Sequence, residues 1–185
     1  MEDFETLLVR HCSPTLAGIK TGSLFNYTLG RNDNLEIYLQ KWNHALNPRG
    51  VALTILQQDK GRNLVYVYRP NKLANDLACA DLKDFLSSIG YDCSDMNSYL
   101  RNLIDRIDQC VSFPHEIGLF LGYPLHDVKG FIENGGQNCK CCGLWKVYCS
   151  ECQALKLFDK FKKCTRIYCR CFQSGSSITR LTVAA

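Results

Sequence analysis

The chain has 185 residues, 46% hydrophobic and 22% charged, with a formal net charge of +4. That is the length of one domain, long enough to bury a core without metals or disulfides, and the composition excludes a disordered chain, a collagen and a coiled-coil rod. No run of eighteen apolar residues occurs, so no transmembrane helix and no membrane partner are expected. The first ten residues carry neither a basic n-region nor a small-residue cleavage site, which predicts a cytoplasmic protein.

In chain order, Ser13-Pro14 reads as an N-cap with proline at the first helical position, predicting a short helix over 15–20. Asn32 or Asp33 would cap a second helix, whose Leu35, Leu39, Trp42 and Leu46 share one face. Asn47-Pro48-Arg49-Gly50 would end it with turn chemistry. Residues 51–57 and 64–69 read as strands of a hairpin, since the connection is short and contains Gly61. A third strand is expected at 23–27, because a lone hairpin is rarely stable.

Helices then dominate. Leu82, Phe85, Leu86 and Ile89 share a face that ends at Gly90. Ser94 or Asp95 opens a helix carrying Tyr99, Leu100, Leu103, Ile104 and Ile107 inward, and Phe113-Pro114 breaks it. Two short helices are predicted at 115–121 and 125–133. A basic helix is predicted over 150–172, with Leu155, Phe158, Thr165, Tyr168 and Phe172 near one face, followed by a loose tail. The expected fold is a single α+β domain, 1–185, in which a small antiparallel sheet packs against a mostly helical C-terminal half. Its parts are an α/β half (1–70, hairpin 51–69), a helical half (71–135), a Cys-rich loop with the basic helix (136–173), and a tail (174–185).

The 12 cysteines are the anomaly. Cys12, Cys79, Cys93 and Cys110 are scattered; the last three read as small buried hydrophobes. The rest are Cys139, Cys141, Cys142, Cys149, Cys152, Cys164, Cys169 and Cys171. In a reducing compartment such a cluster points to metal ligands or redox thiols rather than a disulfide scaffold. Zinc wants four soft ligands and iron–sulfur clusters four thiolates, so Cys139, Cys141, Cys142, Cys149 and Cys152 form the candidate metal set. On one helix Cys152 and Cys164 would lie about 18 Å apart, which leaves Cys164, Cys169 and Cys171 outside that set. Cys149 and Cys152 would sit at the helix N-terminus, which favours metal binding or thiol reactivity.

Other candidates belong to other classes. Cys12 precedes a helix and neighbours His11, and His115-Glu116 could supply acid–base chemistry. An enzyme would have Cys12, His115 and Glu116 converge with Lys20 or Lys140. A nucleic-acid-binding regulator would use the helix pair 115–133 and the basic helix. Residues 139–171 hold Lys140, Lys146, Lys156, Lys160, Lys162, Lys163, Arg166 and Arg170 against Glu151 and Asp159. Such charge attracts nucleic acid or an acidic partner, or is simply a solvated face. No P-loop, no G-x-G-x-x-G after a strand and no G-x-S-x-G is present, so nucleotide hydrolysis and the common hydrolase chemistries lose support.

Three stretches carry a resemblance: HCSPTLAGIK at 11–20, FPHEIGLFLGYP at 113–124 and NCKCCGLWKVY at 138–148. Together with LTVA at 181–184 they resemble a small bacterial family, domain of unknown function 3793, found mostly in anaerobic Firmicutes. The resemblance implies no activity. It does imply neighbouring flavodoxin-type genes, and hence iron or redox physiology. The leading expectation is a cytoplasmic metal-binding or redox-linked protein. Its thiols would hold zinc or an iron–sulfur centre, and its partner would be an acidic redox protein such as a flavodoxin.

Overall fold

The computed structural model describes residues 3–28, 34–59, 61–109 and 113–184. Three antiparallel strands, β1 (Gly22–Thr28), β2 (Ala52–Asp59) and β3 (Arg62–Tyr68), form a sheet in the order β1-β3-β2. The predicted hairpin and third strand are both present. A register shift between Ile55 and Gln57 marks a bulge in β2.

Alternation along the strands divides the core in two. Phe25, Tyr27, Leu53, Val65 and Val67 face α1 (Phe4–Leu16) and α2 (Leu35–Leu46). Tyr66, Tyr68 and Leu56 face the opposite layer. That layer holds α3 (Pro70–Leu77), α4 (Ala80–Ser88), α5 (Met96–Gln109), α6 (Ile117–Phe120) and α7 (Leu125–Glu133). The sheet is thus covered on both faces: by the helical half, as expected, and also by helices of its own half. All four residues of the α2 stripe are buried, each worth about 1.5–3 kcal/mol. The α2 cap is Asn34, whose side chain accepts from the Glu36 N–H; Asn32 and Asp33 lie outside the described residues.

Two local expectations change. Helix α1 is capped by Asp3, whose carboxylate accepts from the Thr6 N–H, so Ser13-Pro14 sits in its last turn and not at a new start. Pro14 has no N–H to give the preceding turn, and the helix stops two residues later. Gly18 then takes a left-handed φ of 75°, and the N–H groups of Ile19 and Lys20 return to the Pro14 carbonyl. This turn sets the position of Lys20.

The tail is also ordered. Short helix α9 (Ile178–Leu181) buries Ile178, and the Val183 N–H reaches the Leu16 carbonyl at 3.0 Å. Arg69 is buried and donates to the carbonyls of Thr15, Leu16 and Val183, which ties the end of α1 and the C-terminal segment to the end of the central strand. Helix α8 (Glu151–Gln173) runs over α1. Its inward residues are Ala154, Phe158 and Phe161, with Tyr168 and Phe172 half-buried beyond them, whereas Leu155 is exposed.

Candidate functional site

The Cys-rich segment folds as a two-stranded hairpin, β4 (Cys141–Cys142) with β5 (Lys146–Val147). Trp145 and Val147 pack with Ala154, Phe158 and Phe161 of α8 into a small core of their own. Gly143 is required at the turn: a Cβ there would enter the Phe158 ring. Gly130 of α7 is required by the same logic, against Tyr148.

One buried carboxylate fastens this unit to the rest of the molecule. Asp127, in the first turn of α7, accepts from the Trp145 indole N–H at 2.8 Å. Its other oxygen accepts from the backbone N–H groups of Tyr148 (2.8 Å) and Cys149 (3.1 Å). Two lysines add to the hold. Lys146 donates to the Gly136 carbonyl at 2.6 Å and Lys140 to the Cys149 carbonyl at 3.1 Å.

Four of the five candidate ligands point to three places, and the fifth, Cys139, is half-buried and within electrostatic range of Cys141 and Tyr148. Cys142 lines a cavity of about 270 Å³ with His115, Lys146, Tyr123, Phe131 and Trp145. Cys141 faces the other side of the hairpin. Burial pushes its thiol pKa up, and the negative charges of Glu151, Cys139, Asp127 and Cys142 push it further the same way. Cys149 and Cys152 are exposed and line a shallow hollow of about 360 Å³ with Lys140 and Glu151. They flank Ser150, the N-cap of α8, as the sequence spacing implied. Among the described residues no three His, Cys, Asp or Glu side chains converge in a geometry that could hold a metal ion. The donors therefore do not form a ready site for zinc or an iron–sulfur centre.

The proposed catalytic trio is separated. Cys12 is fully buried in the first core, and burial pushes its thiol far up, away from nucleophilic use. Glu116 is buried, pairs with Arg106 and accepts from the Tyr91 hydroxyl at 3.3 Å. His115 instead packs edge-on against Phe131 at the mouth of the Cys142 cavity. Lys20 lies near Cys12, close enough for each to feel the other's charge, while Lys140 lies at the α8 hollow. Of the scattered cysteines, Cys79 is exposed and Cys93 half-exposed, so neither is the fully buried residue expected; Cys110 lies outside the described residues.

The helix pair over 115–133 lacks helix-turn-helix proportions. Helix α6 is one buried turn, and α7 turns Asp127 and Val128 inward. The basic residues of α8 do remain on its exposed side, among them Lys156, Lys160, Lys163 and Arg170. Asp127 escaped the sequence reading. An aspartate in the first turn of a helix is ordinarily accounted for by the helix dipole alone, and only the fold puts it beside residues 145–149.

The chain matches the model of one family, described as protein of unknown function (DUF3793), over residues 8–182. No curated protein and no solved structure matches it.

Proposed function

The chain belongs to the DUF3793 family, whose description names no activity, and from that premise we propose that it is a redox-linked thiol protein. Its working couple is the dithiol Cys149 and Cys152. The observation that carries this reading is their shared place. Both are exposed, both line the hollow with Lys140, and they straddle the N-terminus of a long helix. The Asp127 bond to the Cys149 backbone keeps that thiol presented.

The reaction is a two-electron exchange. Two thiols lose two protons and two electrons and form one S–S bond, and an acceptor disulfide or a partner's flavin takes the electrons. The exposed basic side of α8 suits an acidic redox protein, such as a flavodoxin, as that partner. The cytoplasm, which keeps free thiols reduced, is where such a couple would cycle.

A second reading keeps the metal. Desolvation raises the Cys141 thiol pKa first, the Glu151 and Asp127 carboxylates add negative charge in its neighbourhood, and a cation would offset that charge. Zinc or an iron–sulfur centre would then require the hairpin and the start of α8 to close around it. Protein purified without oxygen, analysed for metal and sulfide and then oxidised stepwise, separates the two. The dithiol reading predicts a metal-free protein that loses two alkylatable thiols reversibly, mapped to Cys149 and Cys152. Stoichiometric metal protecting four thiols would replace it with the second reading.

A further inference from the structure

Between α1 and α8 lies a cleft of about 480 Å³ that none of the loop cysteines line. Arg10, His11, Lys20, Lys162 and Arg166 line it, over the rings of Tyr123 and Phe161, and no carboxylate does. Lys162 and Arg166 are exposed and one turn apart on α8, so they face the cleft together.

Lys20 is the telling residue. It is half-buried, with its ammonium 5.3 Å from the centre of the Tyr123 ring. Among the described residues it forms no ion pair; the pairs present are Lys41 with Glu5 and Arg106 with Glu116. Burial lowers its pKa to about 8, partly offset by the neighbouring Cys12. A partly desolvated cation without a counter-ion is costly, and a bound anion would compensate it.

We propose that this cleft binds a small organic phosphate, its phosphoryl group held by Lys20, Lys162 and Arg166 and its flat or apolar body lying on Tyr123 and Phe161. The volume falls in the range of small-ligand sites. The guanidinium fork of Arg166 and the point charge of Lys162 are the usual complement of a phosphoryl dianion. A recessed Lys20 selects a compact anion over a polyanion, whose phosphates would stop at the rim. Arg10 adds positive charge at the exposed rim of the cleft.

The test uses pyridoxal 5′-phosphate as a probe on the full chain at pH 8. Its aldehyde carbon is attacked by the neutral Lys20 amine, water leaves, and borohydride reduces the resulting imine to a stable amine. The expected result is one dominant label, mapped to Lys20, displaced by millimolar pyrophosphate and far weaker with unphosphorylated pyridoxal. The double variant Lys162→Ala, Arg166→Ala, with an unchanged circular dichroism spectrum, should label at least about tenfold more weakly, the loss of one charge-assisted contact or more. Labels spread evenly over surface lysines would overturn the proposal. So would protection by RNA or an acidic peptide at concentrations where pyrophosphate gives none, because the face would then be a docking surface for a polyanion.

Discussion

The indole N–H of Trp145 donates to Asp127 at 2.8 Å, joining α7 to the Cys-rich hairpin across 18 residues of chain. Since the same carboxylate also takes two backbone N–H groups, it is the clasp of the whole unit. Asp127→Ala would leave three donors without an acceptor. The expected cost is about 2–4 kcal/mol, seen as a lower urea midpoint and a shift in Trp145 fluorescence, with faster alkylation of Cys149. An unchanged midpoint would mean that the hairpin holds by its apolar core alone.

The hairpin turn offers an independent check on that small core. Gly143→Ala sets a methyl against the Phe158 ring, and Phe158 is nearly fully buried. A loss of about 1–3 kcal/mol is expected from overpacking. The same substitution at Gly61, where a Cβ meets nothing, would remain tolerable in space though strained at φ 84°. Comparing the two separates steric clash from backbone strain.

Glu116 is a structural residue in this account. Glu116→Gln should lower stability by about 1–3 kcal/mol, a figure moderated by the part-exposed Arg106 partner. The alkylation rate of Cys142 should be unaffected, because Glu116 faces the core while the adjacent His115 faces the cavity. A large drop in Cys142 reactivity would place Glu116 in the site after all.

Much of the fold was legible where periodicity is strong. The α2 stripe, the α5 stripe and the hairpin all follow from spacing, and the capping aspartate of α5, Asp95, accepts from the Ser98 N–H as its position suggested. Helix α1 was misread because Ser-Pro is a good helix start, and only the tertiary burial of Phe4, Leu8 and Val9 shows the helix already under way. Helix α3 was missed, although Pro70 marks its first position, because it is short and follows a strand directly. The site was less legible than the fold. Adjacent cysteines in a sequence look like one cluster, yet a strand turns Cys141 and Cys142 to opposite sides. Lys20 drew notice only as a possible partner of Cys12, and its cleft depends on α8 returning over α1.

Lys20 gives a pH test. Its folded pKa, about 8, is below the ordinary 10.5, so the unfolded chain binds more protons between those values. The penalty is fully present below pH 8 and is relieved as pH rises toward 10.5. Lys20→Met should therefore raise the melting temperature by a few degrees at pH 7, and the gain should shrink by pH 10. A gain independent of pH would point to packing, not charge. Pyrophosphate should stabilise the parent protein and leave the variant unmoved.

The central claim is that Cys149 and Cys152 form a working dithiol. Equilibrating the protein anaerobically against graded ratios of reduced and oxidised dithiothreitol, followed by alkylation and mass mapping, tests it most directly. The account predicts one reversible two-electron transition confined to Cys149 and Cys152 and abolished by Cys152→Ser, with the other thiols unchanged. If those two cysteines stay independently alkylatable at every ratio, or pair only with thiols of other molecules, the account is wrong.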